Sequence, residues 1–207
     1  KIILFLKNNT YQKNNYTFNK KTKKKISAIL ITHVFGNLTN LDKLIIKCKK
    51  LRIKLIEDAA EAFGSMNKKK IHAGTLGDFG ILSFNVNKII TTGSGGALLI
   101  KNKYDFKRAK KLVNQSKVDK IFFIHDEIGY NYRMPNINAA LACAQIEQIH
   151  DIIKSKRKLA KEYSNFFKKE GIKFRTELKK TKANYWLMCL EFGNDKDRNL
   201  FLAETNK

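Results

Sequence analysis

Cysteine, arginine, proline and acidic residues are all scarce in this chain. Its three cysteines, Cys48, Cys143 and Cys189, stand far apart without a C-x-x-C pair. That excludes a zinc site of the usual spacing and a disulfide framework, and points to a reducing, cytoplasmic setting. The apolar run IILFL at 2–6 is too short for a signal segment or a membrane span, so no membrane partner is expected. Acids number 18 against 42 basic residues, a net charge of +24 that would suit a nucleic acid or an anionic membrane. Only six of the basic residues are arginine, the best reader of phosphates and bases, and the lysines are scattered apart from KKTKKK at 20–25. Asn, Ile and Phe are also abundant, the pattern of an A/T-rich coding sequence, and no nucleic-acid partner is expected. There is no internal repeat.

What is present is a globular composition, 43% hydrophobic over 207 residues, enough for one domain or a domain and a piece of another. The continuous apolar run ISAILI (26–31) predicts a strand buried on both faces. After a polar turn with His33 and Gly36, Thr39 precedes a helical pattern (Leu41, Leu44, Ile45, Cys48), with Asp42 placed for a capping box. IKLIED (53–58), FGILSF (79–84) and GALLI (96–100) read as further strands, and a helix is expected over about 103–115. The alternation argues for an α/β sheet. A single long helix is expected from Pro135 to Gly171, then a strand at YWLMCLEF (185–192) and a helix from Asp195. The domain boundary is placed at 155, with residues 1–155 in a large domain and 156–207 opening a smaller α/β domain. Residues 7–25 are low in complexity and read as a surface excursion.

Ligands of open α/β sheets gather at the carboxyl ends of strands. Asp58 ends one strand, Ser83 lies near the end of another, and Lys88 follows it in NVNKIITTGSGG (85–96). Each has an ordinary structural role open to it: a helix N-cap for Asp58, a hydroxyl bonded within the sheet for Ser83, a solvated loop lysine for Lys88. Together they suit pyridoxal 5'-phosphate, which needs a lysine for its aldehyde, an acid facing the pyridine nitrogen, and hydroxyls and N–H groups for its phosphate. Glu61, three residues after Asp58, could reach the ring's phenolic oxygen. The G-S-G-G at 93–96 lacks dinucleotide-binding spacing and suits a tight turn beside a bound ring.

Three stretches, IEDAAEAFGS, GDFGILSFNVNKIITTGSGG and GYNYRMPNINAALACAQIEQI, resemble linked signatures of the DegT/StrS-type sugar-nucleotide aminotransferases, most similar to their LegC-like branch. The resemblance runs from about residue 26 to 165 with the motifs in register. It implies a fold type I pyridoxal phosphate enzyme with a mainly parallel sheet, incomplete at both ends here, plus the start of the smaller domain. By it, Lys88 is the lysine that joins the cofactor, Asp58 the partner of the pyridine nitrogen, and Ser83 a phosphate ligand. Glu61 stands where the family more often has glutamine. Asn131 matches an asparagine that reaches the cofactor phosphate of the neighbouring subunit, implying a homodimer. His33 and Arg133 match residues near the substrate.

The implied reaction moves an amino group, with glutamate as donor, to a keto-deoxy sugar linked to a nucleotide, for bacterial surface glycans. Dehydratase relatives carry histidine in place of the lysine, so Lys88 speaks against that chemistry. An inactive truncated chain, or a basic anion- or nucleic-acid-binding protein with a vestigial site, remain the alternatives.

Overall fold

The low-complexity amino-terminal stretch folds rather than wandering over the surface. In this computed structural model, which describes residues 1–119 and 121–206, α1 (Ile2–Asn9) leads into a hairpin of β1 (Thr10–Lys13) and β2 (Tyr16–Asn19). Asn14 and Asn15 turn it with φ of 48° and 64°, the left-handed pair a two-residue hairpin requires. Leu6 enters the core, and the buried Thr17 hydroxyl donates to the Leu51 carbonyl at 2.7 Å. Composition hid this element because its anchors are single residues among lysines and asparagines.

The main sheet is built from β3 (Ala28–Thr32), β4 (Lys54–Asp58), β6 (Phe79–Ser83) and β7 (Gly96–Ile100), in the order β3-β4-β6-β7; the short β5 (Met66–Asn67) lies outside it. The first three strands run parallel, and β7 returns antiparallel to β6. The crossover from β3 to β4 is α2 (Asp42–Leu51), whose Leu44, Cys48 and Leu51 pack on Ile31 and Leu55. The helix begins at Asp42 without a side-chain cap, and the Asn40 amide oxygen, not Thr39, accepts the Asp42 N–H at 3.1 Å.

Only one face of this sheet is fully covered. Ile31, Leu55, Glu57, Gly80 and Leu82 point into the core, whereas Leu30, Ile81 and Leu98 on the opposite face are 55%, 37% and 50% exposed. The expectation of a β3 strand buried on both faces therefore holds for one face only, because helices pack on one side of it. Asp58 and Ser83 share the open face, since strand side chains alternate and Asp58 is in register with Ile81.

After α3 (Lys103–Leu112), capped by Asn102, the expected long helix is broken in two at Gln148, giving α4 (Asn136–Glu147) and α5 (Ile149–Lys169). The break falls where an all-round apolar sequence changes to an amphipathic one, so the two pieces follow different surfaces. β8 (Lys173–Phe174) pairs with β10 (Leu190–Glu191), and β9 (Thr181–Lys182) pairs with β5. The strand expected over 185–192 is confined to β10, because Tyr185 turns left-handed at φ 51° and redirects the chain. The last helix, α6 (Asp195–Thr205), begins at Asp195 as expected and is capped by Asn194. Among the described residues no helix is long and apolar enough to cross a membrane.

Candidate functional site

The carboxyl ends of β4 and β6 place an acid and a hydroxyl on one face of adjacent strands. Ser83 lies two residues beyond the partner of Asp58, so their Cα atoms stand roughly 8 Å apart by strand geometry. One Asp58 oxygen accepts the Ala60 N–H at 3.1 Å, which shapes the turn after β4 and leaves the other oxygen without a hydrogen bond among the described residues. Ser83 Oγ accepts the Asn85 N–H at 3.4 Å at the entrance to the lysine loop. Lys88 is held inward, with a side chain 14% exposed and its Nζ 4.0 Å from Glu61 Oε1. The second Glu61 oxygen accepts the Phe35 N–H at 2.7 Å, fixing the carboxylate that faces the amine.

The loop carrying Lys88 is folded back on the sheet by its own backbone. Thr92 N–H bonds the Phe84 carbonyl at 3.0 Å, and Phe84 N–H bonds that of Gly95 at 2.9 Å. Gly93 and Gly95 take φ of 78° and 109°, which side-chain-bearing residues rarely adopt. Helix α4 pins the same turn, with Asn138 Nδ2 donating to the Thr92 carbonyl at 2.6 Å and Gln145 Oε1 accepting the Thr91 N–H at 3.3 Å.

His33 is not on the surface of this site. It is fully buried, and its Nδ1 accepts the Thr39 N–H at 3.1 Å, so Nε2 carries the proton and donates to Glu57 Oε2 at 2.8 Å. Glu57 is the acid that sequence reading passed over. Its side chain points to the core, and it also accepts the N–H groups of Gly74 (3.0 Å), Leu76 and Gly77 (both 2.6 Å). Burial opposes its charge most strongly. The bond from His33 and those from Gly77 and Gly74 outweigh that and hold its carboxyl below the ordinary range. The signal was in the strand alternation: Leu55 and Glu57 share the core face, and Asp58 the other.

A carboxylate with a depressed folded-state pKa contributes stability above its unfolded pKa, and that contribution is lost as pH falls through the folded value. Glu57→Gln, which turns an NH2 group towards N–H donors, should cost about 3 kcal/mol at neutral pH. Denaturant unfolding at pH 7 and pH 4 should show the gap between the two proteins narrowing in acid. A neutral-pH difference below about 0.5 kcal/mol would contradict a central role for Glu57.

Sequence reading also missed the clasp from the carboxyl-terminal part. Buried Asn184 donates through Nδ2 to the carbonyls of Glu61 and Phe63, both at 2.9 Å, and its N–H bonds Ser65 Oγ at 2.9 Å. Trp186, 7% exposed, follows it into the site. Asn131 and Arg133 lie on a different, exposed segment and line a cleft with Lys110, Asn114 and Lys117. That segment is tied to α3 by Arg108–Glu127 and by Lys111 with Asp126 and Glu127. No hydrogen bond or ion pair joins Asn131 or Arg133 to Lys88, Asp58, Glu61 or Ser83 among the described residues. The structure thus pairs Lys88 with Glu61, sets Asp58 and Ser83 on one face of adjacent strand ends, buries His33 against Glu57 on the core side, and leaves Asn131 and Arg133 on a separate segment.

An amine, an acid and a hydroxyl at one sheet end fit a ring cofactor bearing an aldehyde, a basic nitrogen and a phosphate. Residues 6–205 match the model of the DegT/DnrJ/EryC1/StrS aminotransferase family. The chain is 36% identical over 183 residues to the GDP-perosamine synthase of Escherichia coli O157:H7, covering 88% of this chain and 50% of that one. It is 34% identical over 146 residues to the UDP-4-amino-4,6-dideoxy-N-acetyl-beta-L-altrosamine transaminase of Campylobacter jejuni serotype O:23/36, covering 70% and 39%. In fold it resembles a DegT DnrJ EryC1 StrS aminotransferase from Brucella abortus, with a TM-score of 0.80 at 20% identity over 90% of this chain and 50% of that one. The chain spans about half the length of the curated relatives it matches.

Proposed function

The chain belongs to the DegT/DnrJ/EryC1/StrS aminotransferase family, and from that premise we propose that it carries the cofactor face of a pyridoxal phosphate-dependent sugar-nucleotide aminotransferase. The observation that carries the proposal is Lys88, enclosed beside Glu61 and just past the strand ends that present Asp58 and Ser83. The proposed substrates are an amino donor, glutamate, and a nucleotide-linked keto-deoxy sugar, and the proposed product serves surface-glycan synthesis in the cytoplasm. Relatives named for GDP- and UDP-linked amino sugars support that substrate class.

When bound, the cofactor supplies a ring that accepts the electron pair released at the substrate carbon. Asp58 would keep a proton on the ring nitrogen, and Ser83 with nearby N–H groups would hold the phosphate. Glu61, in place of the family's more frequent glutamine, lies beside the lysine amine and would put its carboxylate by the ring's phenolic oxygen. The Lys88 amine would take a proton from the donor's α-carbon and return it on the other side of the exchange. Asn131 and Arg133, away from this cluster, would serve the partner's phosphate and the sugar nucleotide across a two-fold axis, as a homodimer.

The test is an assay of a chimera in which a curated relative supplies the remaining length. With pyridoxal phosphate, glutamate and GDP- or UDP-linked 4-keto-6-deoxy sugars, mass spectrometry should find an aminated sugar nucleotide and an equal amount of 2-oxoglutarate. A chimera of native mass, twice that of its chain, that transfers no amino group from glutamate to any of these sugars would contradict the proposal.

A further inference from the structure

Lysine has many rotamers, and holding one of them costs side-chain entropy that some contact must offset. Glu61 alone, 4.0 Å away and partly exposed, is a weak partner. The second contact is Trp186: Lys88 Nζ lies 4.1 Å from its ring centroid, well within the reach of a cation–π interaction.

That ring is unusually well fixed. Its Nε1–H donates to the carbonyl of Asn87, the residue before the lysine, at 2.5 Å. Its backbone N–H donates to Asn184 Oδ1 at 2.9 Å. Asn184 is in turn bonded to the Glu61 and Phe63 carbonyls, and Gly36 packs so closely on it that a Cβ there would lie 1.8 Å from Oδ1. The Phe35 ring stands 6.4 Å from the indole. The preceding residue, Tyr185, takes φ 51°, an uncommon and costly conformation for an aromatic residue, and this turn aims Trp186 back at the lysine loop.

We propose that Trp186 is a positioning residue for Lys88, gripping the Asn87 carbonyl and offering its face to the amine, so that the carboxyl-terminal segment sets where the amine points. Its importance for catalysis rests on the role proposed for Lys88 above, but the contact itself does not. With Glu61 it keeps the free amine facing the site instead of solvent. It also makes the geometry of residues 85–88 depend on the clasp at 183–186, which sequence distance would not suggest.

The test uses the cofactor-free chain. Limiting acetic anhydride, read peptide by peptide, gives the modification rate of Lys88 relative to other lysines of the same molecule. Trp186→Leu should raise that ratio about fivefold, and Trp186→Phe, which keeps a ring face but loses the indole N–H, by about twofold. An unchanged ratio in a Trp186→Leu chain with native circular dichroism would overturn the proposal. If that variant loses its fold, a converse measurement decides. Trp186 is the only tryptophan, so Lys88→Met should shift its fluorescence, and an unchanged spectrum would overturn the contact. Neither readout needs the cofactor, so failure here is separable from failure to find the cofactor on Lys88.

Discussion

Lys88→Ala abolishes amino transfer in the chimeric enzyme, by more than about 10⁴-fold, since both the cofactor's attachment and the proton carrier are lost. The fold survives, because Glu61 keeps its bond from Phe35 N–H and Trp186 keeps those to Asn87 and Asn184. The loss of a partly exposed pair and one ring contact should cost no more than about 1 kcal/mol. Steady-state rates and denaturant unfolding, measured on the same preparation, separate the two effects. A variant with a tenth of normal turnover would remove Lys88 from the chemistry, and one that fails to fold would make it a structural lysine.

Asp58→Asn costs about 10³-fold in turnover while leaving the turn after β4 in place. The amide oxygen can still accept the Ala60 N–H that Asp58 accepts at 3.1 Å, so the local structure has no reason to change. An amide cannot hold a proton on a pyridine nitrogen, so the ring loses its capacity to withdraw electrons. The variant should bind cofactor with unchanged thermal stability and turn over slowly. Near-normal turnover would leave Asp58 as the turn-shaping residue that its Ala60 bond already makes it.

The parts of this fold that were legible in sequence are those governed by near neighbours. β6 and β7 stood out as short apolar runs, β4 as a short strand ending in acids, α3 and α6 as helices expected over about 103–115 and from Asp195, and the Lys88 loop through its glycines. Features decided by distant residues were not legible. ISAILI reads as doubly buried because all of it but Ser27 is apolar, yet Leu30 faces outward; no local pattern reports how many layers cover a sheet. The hairpin at 10–19 depends on Thr17 reaching Leu51, and the break at Gln148 on where α4 and α5 pack.

The site divides in the same way. Asp58, Ser83 and Lys88 follow strand ends and could be placed by counting. Glu57 lay beside Asp58 in the sequence, and only its core-facing register separates a buried network centre from the acid proposed to meet the cofactor. Asn184 is bonded to Ser65 and Trp186 to Asn87, both far away in sequence, and Trp186 lies inside a stretch whose apolar residues suggest a strand. Tyr185's left-handed turn breaks that strand, and nothing in a tyrosine announces it.

The most direct test of the account asks where the cofactor attaches. The protein is incubated with stoichiometric pyridoxal phosphate and reduced with borohydride, and the labelled peptides are mapped. The chain offers 36 lysines, most of them solvated, so selectivity is the informative quantity. The label should concentrate on Lys88, in the peptide spanning NVNKIITTG, and be lost from it in Asp58→Asn and Ser83→Ala only to the extent that affinity falls. A label spread over surface lysines, or concentrated on a lysine outside residues 85–96, would contradict it.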